Sequence, residues 1–161
     1  MIKKFNLFFL TFFIIGRIKY APGTIASLIT CLLFLMLINI FNITSIFLIT
    51  LIIFFYSFIA INNSYDEFEA EDPQEIVIDE VVGQMFPLLA IPIYETLYPL
   101  PTVYYCIYAF LLFRLFDIWK PYPISYVDNN IKGSLGIMLD DILASIYSIV
   151  TLSVIFFFLG G

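Results

Sequence analysis

The sequence contains no histidine, and only 7 of its 161 residues are lysine or arginine. The absence of histidine excludes every mechanism that needs a histidine nucleophile. So few basic residues cannot form a patch that binds nucleic acid, and the net charge of −6 further disfavours such a partner. The 2 cysteines, Cys31 and Cys106, lie in apolar stretches without metal-ligand or redox spacing, so they are interpreted as packing residues.

Charged residues of both signs are scarce. They make up 12% of the chain, whereas 62% is hydrophobic and the mean hydropathy is +1.02. A soluble domain carries about 25% charged residues, and one of this size could not bury so much apolar side chain in a single core. The composition therefore predicts one integral membrane domain over residues 1–161, built as an all-α bundle because helices satisfy their own backbone in lipid.

Long uncharged segments predict about four to five transmembrane helices. Residues 21–65 carry no charge, and as one helix they would be roughly 68 Å long, about twice the length that a single crossing needs. The chain must therefore turn back near residues 39–45. The predicted spans are residues 25–41, 44–62, 81–94, 102–119 and 137–159. Residues 5–15 are apolar but too short to cross, and are predicted to form an N-terminal interfacial helix.

This threading gathers the charges at one side of the bilayer. Residues 1–24, 62–80 and 120–136 share a side, and every charged residue except Glu95 lies in or beside them. The opposite connections carry no lysine or arginine. By the positive-inside rule, the charged face is predicted to be cytoplasmic.

Two pairs of acids stand out at that face. Asp79 and Glu80 are enclosed by apolar residues, and Asp140 and Asp141 enter a span that carries no further charge. Carboxylates in apolar sequence at a membrane boundary are costly unless something neutralises them. Several hard oxygen ligands favour Mg²⁺, so these four are the predicted metal ligands and catalytic acids. Asp117 is predicted as a further ligand or base.

Cations and a helix start accompany the acids. Arg114, Asp117 and Lys120 follow one stripe of a helix, and Pro22-Gly23-Thr24 reads as a helix N-terminus that can hold an anion. Other interpretations remain open: a structural Arg114–Asp117 pair, a plain helix cap, and compensation of a helix dipole by Asp140 and Asp141. The predicted phosphate-binding residues are Arg17, Lys19, Thr24, Arg114, Lys120 and Lys132.

Carboxylates and cations at a lipid-accessible face indicate phosphoryl chemistry on a lipid head group. Neither cysteine is followed by arginine at the offset of a cysteine phosphatase loop, and no Asp-x-Asp pair is present. The alternative is an ion or metal transporter, although transporters usually place carboxylates near the bilayer midplane. A scaffold protein would not need paired buried acids.

Four motifs give the chain a resemblance to the bacterial phosphatidylglycerophosphatase A family, from about Gly16 to the last span. They are Pro22-Gly23-Thr24 with Ser27-Leu28; Asp72-Pro73 with Ile76-Val77-Ile78-Asp79-Glu80 and Gly83; Phe113-Arg114-Leu115-Phe116-Asp117-Ile118-Trp119-Lys120-Pro121-Tyr122-Pro123-Ile124; and Gly133 with Gly136-Ile137-Met138-Leu139-Asp140-Asp141. One departure is Ala26, where the family usually has glycine.

The resemblance implies a multi-pass enzyme of the bacterial inner membrane. Its expected reaction is Mg²⁺-dependent removal of the terminal phosphate of phosphatidylglycerophosphate, which yields phosphatidylglycerol. The expected partner is a phospholipid substrate in the bilayer. The sequence leaves the oligomeric state open, a homo-oligomer included.

Overall fold

The computed structural model describes residues 2–68 and 74–159. Within these ranges the chain forms eight α-helices and no strand, which confirms the all-α prediction. Glu69, Glu71 and the Asp72-Pro73 motif lie outside the described residues. The helices are α1 (Ile2–Leu10), α2 (Pro22–Leu37), α3 (Ile43–Ser64), α4 (Ile78–Leu89), α5 (Ile91–Leu97), α6 (Thr102–Trp119), α7 (Ile124–Asn130) and α8 (Gly133–Leu159).

Three helices of the described chain, α3, α6 and α8, are long and apolar enough to cross a membrane. Each presents large apolar side chains outward, for example Ile52, Leu111 and Phe157. Helix α2 is also apolar but has 16 residues, which reach only about 24 Å. The chain is thus a helical membrane protein, and the predicted count of four to five spans is not confirmed.

The predicted span over residues 81–94 is interrupted. Helix α4 ends at Leu89, and the shorter helix α5 starts at Ile91. Pro92 lies in the first turn of α5, where its missing N–H is tolerated, whereas within one continuous helix it could not donate to the Leu88 carbonyl. The break leaves α4 with 12 residues, about 18 Å of helix.

Helix α4 lies at the centre of the bundle, where it packs against α2, α3, α6 and α8. Its close approach to two of them depends on Gly83. A Cβ atom at this position would lie 2.8 Å from the Phe113 ring on α6 and 3.0 Å from the Asp141 Cβ atom on α8. The central helix is therefore held against the two helices that carry the later acidic and basic motifs.

The bounds of the first and last helices differ from the sequence prediction. The N-terminal helix α1 ends at Leu10, before the predicted residue 15, and packs against α3, where the Tyr56 hydroxyl donates to Asn6 Oδ1 at 2.8 Å. The segment before the last span contains α7, and α8 starts at Gly133 rather than residue 137.

Candidate active site

The starts of α2, α4 and α8 and the end of α6 surround a polar cavity of about 440 Å³ at one end of the bundle. The alternation of helix directions brings these termini together, as the threading of the sequence predicted. Acids and bases from four separate segments therefore face one space. The lining residues are Lys19, Ala21, Pro22, Gly23, Thr24, Gln74, Ile76, Asp79, Glu80, Arg114, Asp117, Ile118, Lys120, Asp140 and Asp141.

Three carboxylates form a compact group in this cavity. One oxygen each of Asp79, Glu80 and Asp141 lies within 4.8 Å of the other two. Each of these side chains also has a buried oxygen without a hydrogen-bond partner among the described residues. A buried carboxylate oxygen without a partner is costly, and oxygen-only ligand sets suit hard divalent cations. The residues present therefore fit a metal ion.

Two contacts position the group. Ser145 lies one turn after Asp141 in α8, and its hydroxyl donates to the Gly83 carbonyl oxygen at 2.6 Å, which ties α8 to α4. On the opposite side, a Cβ atom at Gly23 would lie 1.8 Å from Glu80 Oε1. Only glycine therefore leaves room for this carboxylate at the start of α2.

Burial changes the acidity of the two acids in the first turn of α4. It raises the pKa of Asp79 well above its ordinary value, and the neighbouring Glu80 carboxylate raises it further. Burial also raises the pKa of Glu80 to about 7, against the opposing effects of the Asp79 hydrogen bond and Arg114. Without a cation the group thus retains protons that it would release in water.

Without a bound cation, the stability of the protein is expected to fall as the pH rises from about 4.5 to about 7. The folded protein keeps a proton on Glu80 that the unfolded chain releases at its ordinary pKa. This stabilisation is complete below about 4.5 and is lost as the pH rises through 7. Thermal unfolding in chelator across this range tests it, with Glu80→Gln as control. The parent curve must fall more steeply than the variant's; parallel curves would refute it.

Two of the three cations that line the cavity, Arg114 and Lys120, are held by acids. Arg114 forms an ion pair with Asp117, and its Nη1 atom lies 3.9 Å from Glu80 Oε1. Lys120, whose positive φ of 46° ends α6, donates to Asp140 Oδ2 at 2.9 Å and also bonds Asp128. Burial alone lowers the pKa of Lys120, but these acids raise it above its ordinary value. Arg114 therefore faces the carboxylate group, whereas Lys120 faces Asp140 in the same cavity.

The structure brings most of the predicted site residues together. Lys19 and Thr24 line the cavity, and Asp140 lines it as the partner of Lys120 rather than as a member of the three-carboxylate group. Arg17 and Lys132 do not line it. Lys132 lines a neighbouring space of about 20 Å³, and Arg17 lines a separate cavity beside α1.

Sequence reasoning missed three contributors. Asp128 pairs with Lys120 but lies on α7, a helix that the loop-like composition concealed. Ser145 gave one usable signal, its position four residues after Asp141 on the same helix face. Ile118 carries no polar signal in the sequence, yet it is both 71% exposed and part of the cavity wall.

The fold and the site define a class: a helical membrane protein whose polar cavity combines grouped carboxylates with fixed cations and contains no histidine. A model of the family described as phosphatidylglycerophosphatase A matches residues 8–156. The chain belongs to the phosphatidylglycerophosphatase A family and is a lipid phosphatase.

Two of three curated relatives carry the family's name, and the third is named as a phosphatase of another phospholipid. A putative phosphatidylinositol-3-phosphatase of Bacteroides thetaiotaomicron is 35% identical over 142 residues, which cover 86% of each chain. Phosphatidylglycerophosphatase A of Haemophilus influenzae is 35% identical over 135 residues, 84% of this chain and 78% of the relative. The enzyme of the same name from Escherichia coli is 38% identical over 77 residues, 48% of this chain and 41% of the relative. No solved structure matches.

Proposed function

We propose that this protein hydrolyses the terminal phosphate monoester of phosphatidylglycerophosphate, with Mg²⁺ as cofactor, at the cytoplasmic face of the bacterial inner membrane. The observation that carries the proposal is the group formed by Asp79, Glu80 and Asp141 beside two fixed cations in one cavity. Family membership supports the lipid phosphatase activity. The positive charges at this end of the bundle support the cytoplasmic orientation.

The surroundings of the cavity suit a substrate that stays in the bilayer. Ile118 belongs to the cavity wall and to the exposed face of α6, and Leu111 and Leu115 continue this face at 56% and 51% exposure. Leu28, one turn after Thr24 on α2, is 48% exposed. A head group can thus enter the polar cavity while its acyl chains remain against apolar helix surface. This continuity favours a lipid phosphate over a soluble one.

Each group has a role in the proposed reaction. Asp79, Glu80 and Asp141 would hold Mg²⁺, which polarises a phosphoryl oxygen when bound. Arg114 and Lys120 bind the phosphate oxygens and offset their charge. Asp140, whose Oδ1 has no partner among the described residues, accepts the proton of the attacking water. Water adds to phosphorus, the bond from phosphorus to the glycerol oxygen breaks, and Asp140 passes the proton that it took from the water to the departing glycerol oxygen.

The second candidate substrate is phosphatidylinositol 3-phosphate. It is favoured by the Bacteroides thetaiotaomicron relative, whose match covers 86% of both chains. Both lipids present a phosphate monoester on a head group, so the same cavity chemistry serves either. Selectivity then depends on the head-group alcohol.

The purified protein is expected to release phosphate from phosphatidylglycerophosphate in detergent micelles. Chelator should stop the release and Mg²⁺ restore it, since the grouped carboxylates need a cation to act. Rates measured at equal concentrations of other substrates extend the test. The rate on phosphatidylinositol 3-phosphate compares the head groups, and the rate on water-soluble glycerol 3-phosphate shows whether a lipid is needed. Release that chelator leaves unchanged would contradict the metal assignment. A faster rate on the inositol lipid would reassign the substrate.

A further inference from the structure

A second cavity, of about 370 Å³, lies outside the candidate active site. It combines two cations with apolar side chains, and no acid is among the described residues of its wall. Three of its members fall on one face of α1, and three come from the turn and short 3₁₀ helix that follow. The lining residues are Lys4, Leu7, Phe8, Thr11, Ile14 and Arg17.

The cavity exists because the chain doubles back after α1. Phe12, Phe13 and Ile14 have φ values of 43°, 56° and 84°, a left-handed turn made without glycine. Such conformations cost roughly 1–2 kcal/mol per residue and persist only where the surroundings enforce them. Here Leu10 and Phe12 are buried, and the Leu10 carbonyl accepts a hydrogen bond from the Val77 N–H at 3.0 Å. The enforced turn brings Arg17 back to the same space as Lys4.

The returning segment separates this cavity from the active site. Arg17 lines the second cavity, whereas Lys19, two residues later, lines the active site. Gly16 packs so closely on the next segment that a Cβ atom there would lie 1.9 Å from the Glu75 carbonyl oxygen. The Arg17 Nε atom lies 3.8 Å from Glu75 Oε2, but both side chains are more than half exposed. An exposed pair of this kind is weak, so Arg17 can accept another anion.

The outer surface of α1 and the turn that follows it is apolar. Ile2, Phe5 and Phe13 are 73%, 59% and 61% exposed, beside the exposed cavity residues Phe8 and Ile14. An amphipathic helix with lysine on its polar side and phenylalanine on its apolar side lies in the interface of a bilayer. Phospholipid head groups occupy the same level. The cavity is therefore presented where a phosphodiester and the first methylenes of its acyl chains are found together.

We infer that the cavity between α1 and the 3₁₀ helix binds the head-group phosphodiester of an anionic phospholipid that is not the substrate. The Arg17 guanidinium and the Lys4 ammonium bind the phosphate oxygens. Leu7, Phe8 and Ile14 contact the upper part of the lipid. Charge complementarity favours an anionic lipid over phosphatidylcholine, and the apolar wall favours a lipid over free phosphate.

Native mass spectrometry of the full protein, released from nanodiscs of equimolar phosphatidylserine and phosphatidylcholine, measures the retained lipid directly. Neither lipid is a phosphate monoester, so the result does not depend on the proposed reaction. The parent is expected to retain phosphatidylserine preferentially. Lys4→Gln with Arg17→Gln should reduce this preference by roughly 25-fold, since the loss of each cation near a membrane surface weakens binding about fivefold.

Matched variants keep the test specific. Lys3 is adjacent to Lys4 in sequence, but it pairs with Glu67 and does not line the cavity. Lys3→Gln removes the same charge as Lys4→Gln and should leave the lipid preference unchanged. Lys120→Gln should also leave it unchanged, which excludes the active site as the binding place. Lys4→Arg with Arg17→Lys keeps both charges and should retain the preference. Equal losses in Lys3→Gln and the double variant, or displacement of the lipid by inorganic phosphate, would overturn the inference.

Discussion

Replacing Asp141 with asparagine is expected to lower phosphate release by roughly 10²- to 10⁴-fold. Asp141 is 3% exposed and shares the cluster with Asp79 and Glu80. Asparagine keeps the shape of the side chain but removes one of the three carboxylates that would hold a divalent cation. Initial rates in detergent micelles at saturating Mg²⁺ measure the effect. A variant within threefold of the parent rate would exclude Asp141 from the site.

A second measurement separates loss of the cation from loss of the fold. In chelator, Asp141→Asn should unfold at a higher temperature than the parent, because the substitution relieves repulsion among buried acids. The same variant should lose the stabilisation that Mg²⁺ confers on the parent. Glu67→Gln is the control, since Glu67 pairs with Lys3 at 43% exposure and lies outside the cavity. It should behave as the parent in both measurements.

Replacing Gly23 with alanine is expected to lower the rate by roughly 10- to 100-fold while the protein remains folded. The added methyl group would lie 1.8 Å from Glu80 Oε1 and 2.6 Å from its Cδ atom, so the carboxylate must move. A displacement of about 1 Å in a catalytic group can cost 10²-fold. The rate constant and the Mg²⁺ concentration at half-maximal activity are the quantities to measure, and the second should rise.

A double-mutant cycle tests whether this effect passes through Glu80. Aspartate at position 80 places its carboxyl carbon near the Cγ atom of the glutamate, which lies 3.3 Å from where the alanine methyl group at position 23 would stand. Glu80→Asp should therefore cost less in the Gly23→Ala background than in the parent. Additive effects of the two substitutions would show that Gly23 acts through some other contact.

The bounds of two long helices could be predicted because the thickness of the bilayer constrains their length. For α3 and α6, the predicted limits of residues 44–62 and 102–119 agree closely with Ile43–Ser64 and Thr102–Trp119, because an uncharged run of sufficient length has few alternatives in lipid. The break near Ala90 was not predicted. Prolines inside a membrane helix are compatible with either a kink or an end, and packing around α4 decides between them.

Packing also decides which way individual side chains of the site point. Asp140 and Asp141 are neighbours in sequence, but successive residues of a helix point about 100° apart. Packing of α8 on α4 turns Asp141 toward the carboxylate group and leaves Asp140 with Lys120. Arg17 and Lys19 also line different cavities. The turn at Phe12, Phe13 and Ile14 brings Arg17 back beside α1, and no local sequence pattern predicts positive φ values at these residues.

The sequence by itself determined that this protein is a helical membrane protein with every charge except Glu95 in or beside segments on one side, and that it has no histidine. Composition and the placement of charge carry that information, because the cost of polar groups in lipid leaves few arrangements. Only the tertiary structure decided which acids form one group, which cation faces them, and that Arg17 serves a different cavity. These outcomes depend on helix rotation and close contacts at Gly23 and Gly83, which no local pattern specifies.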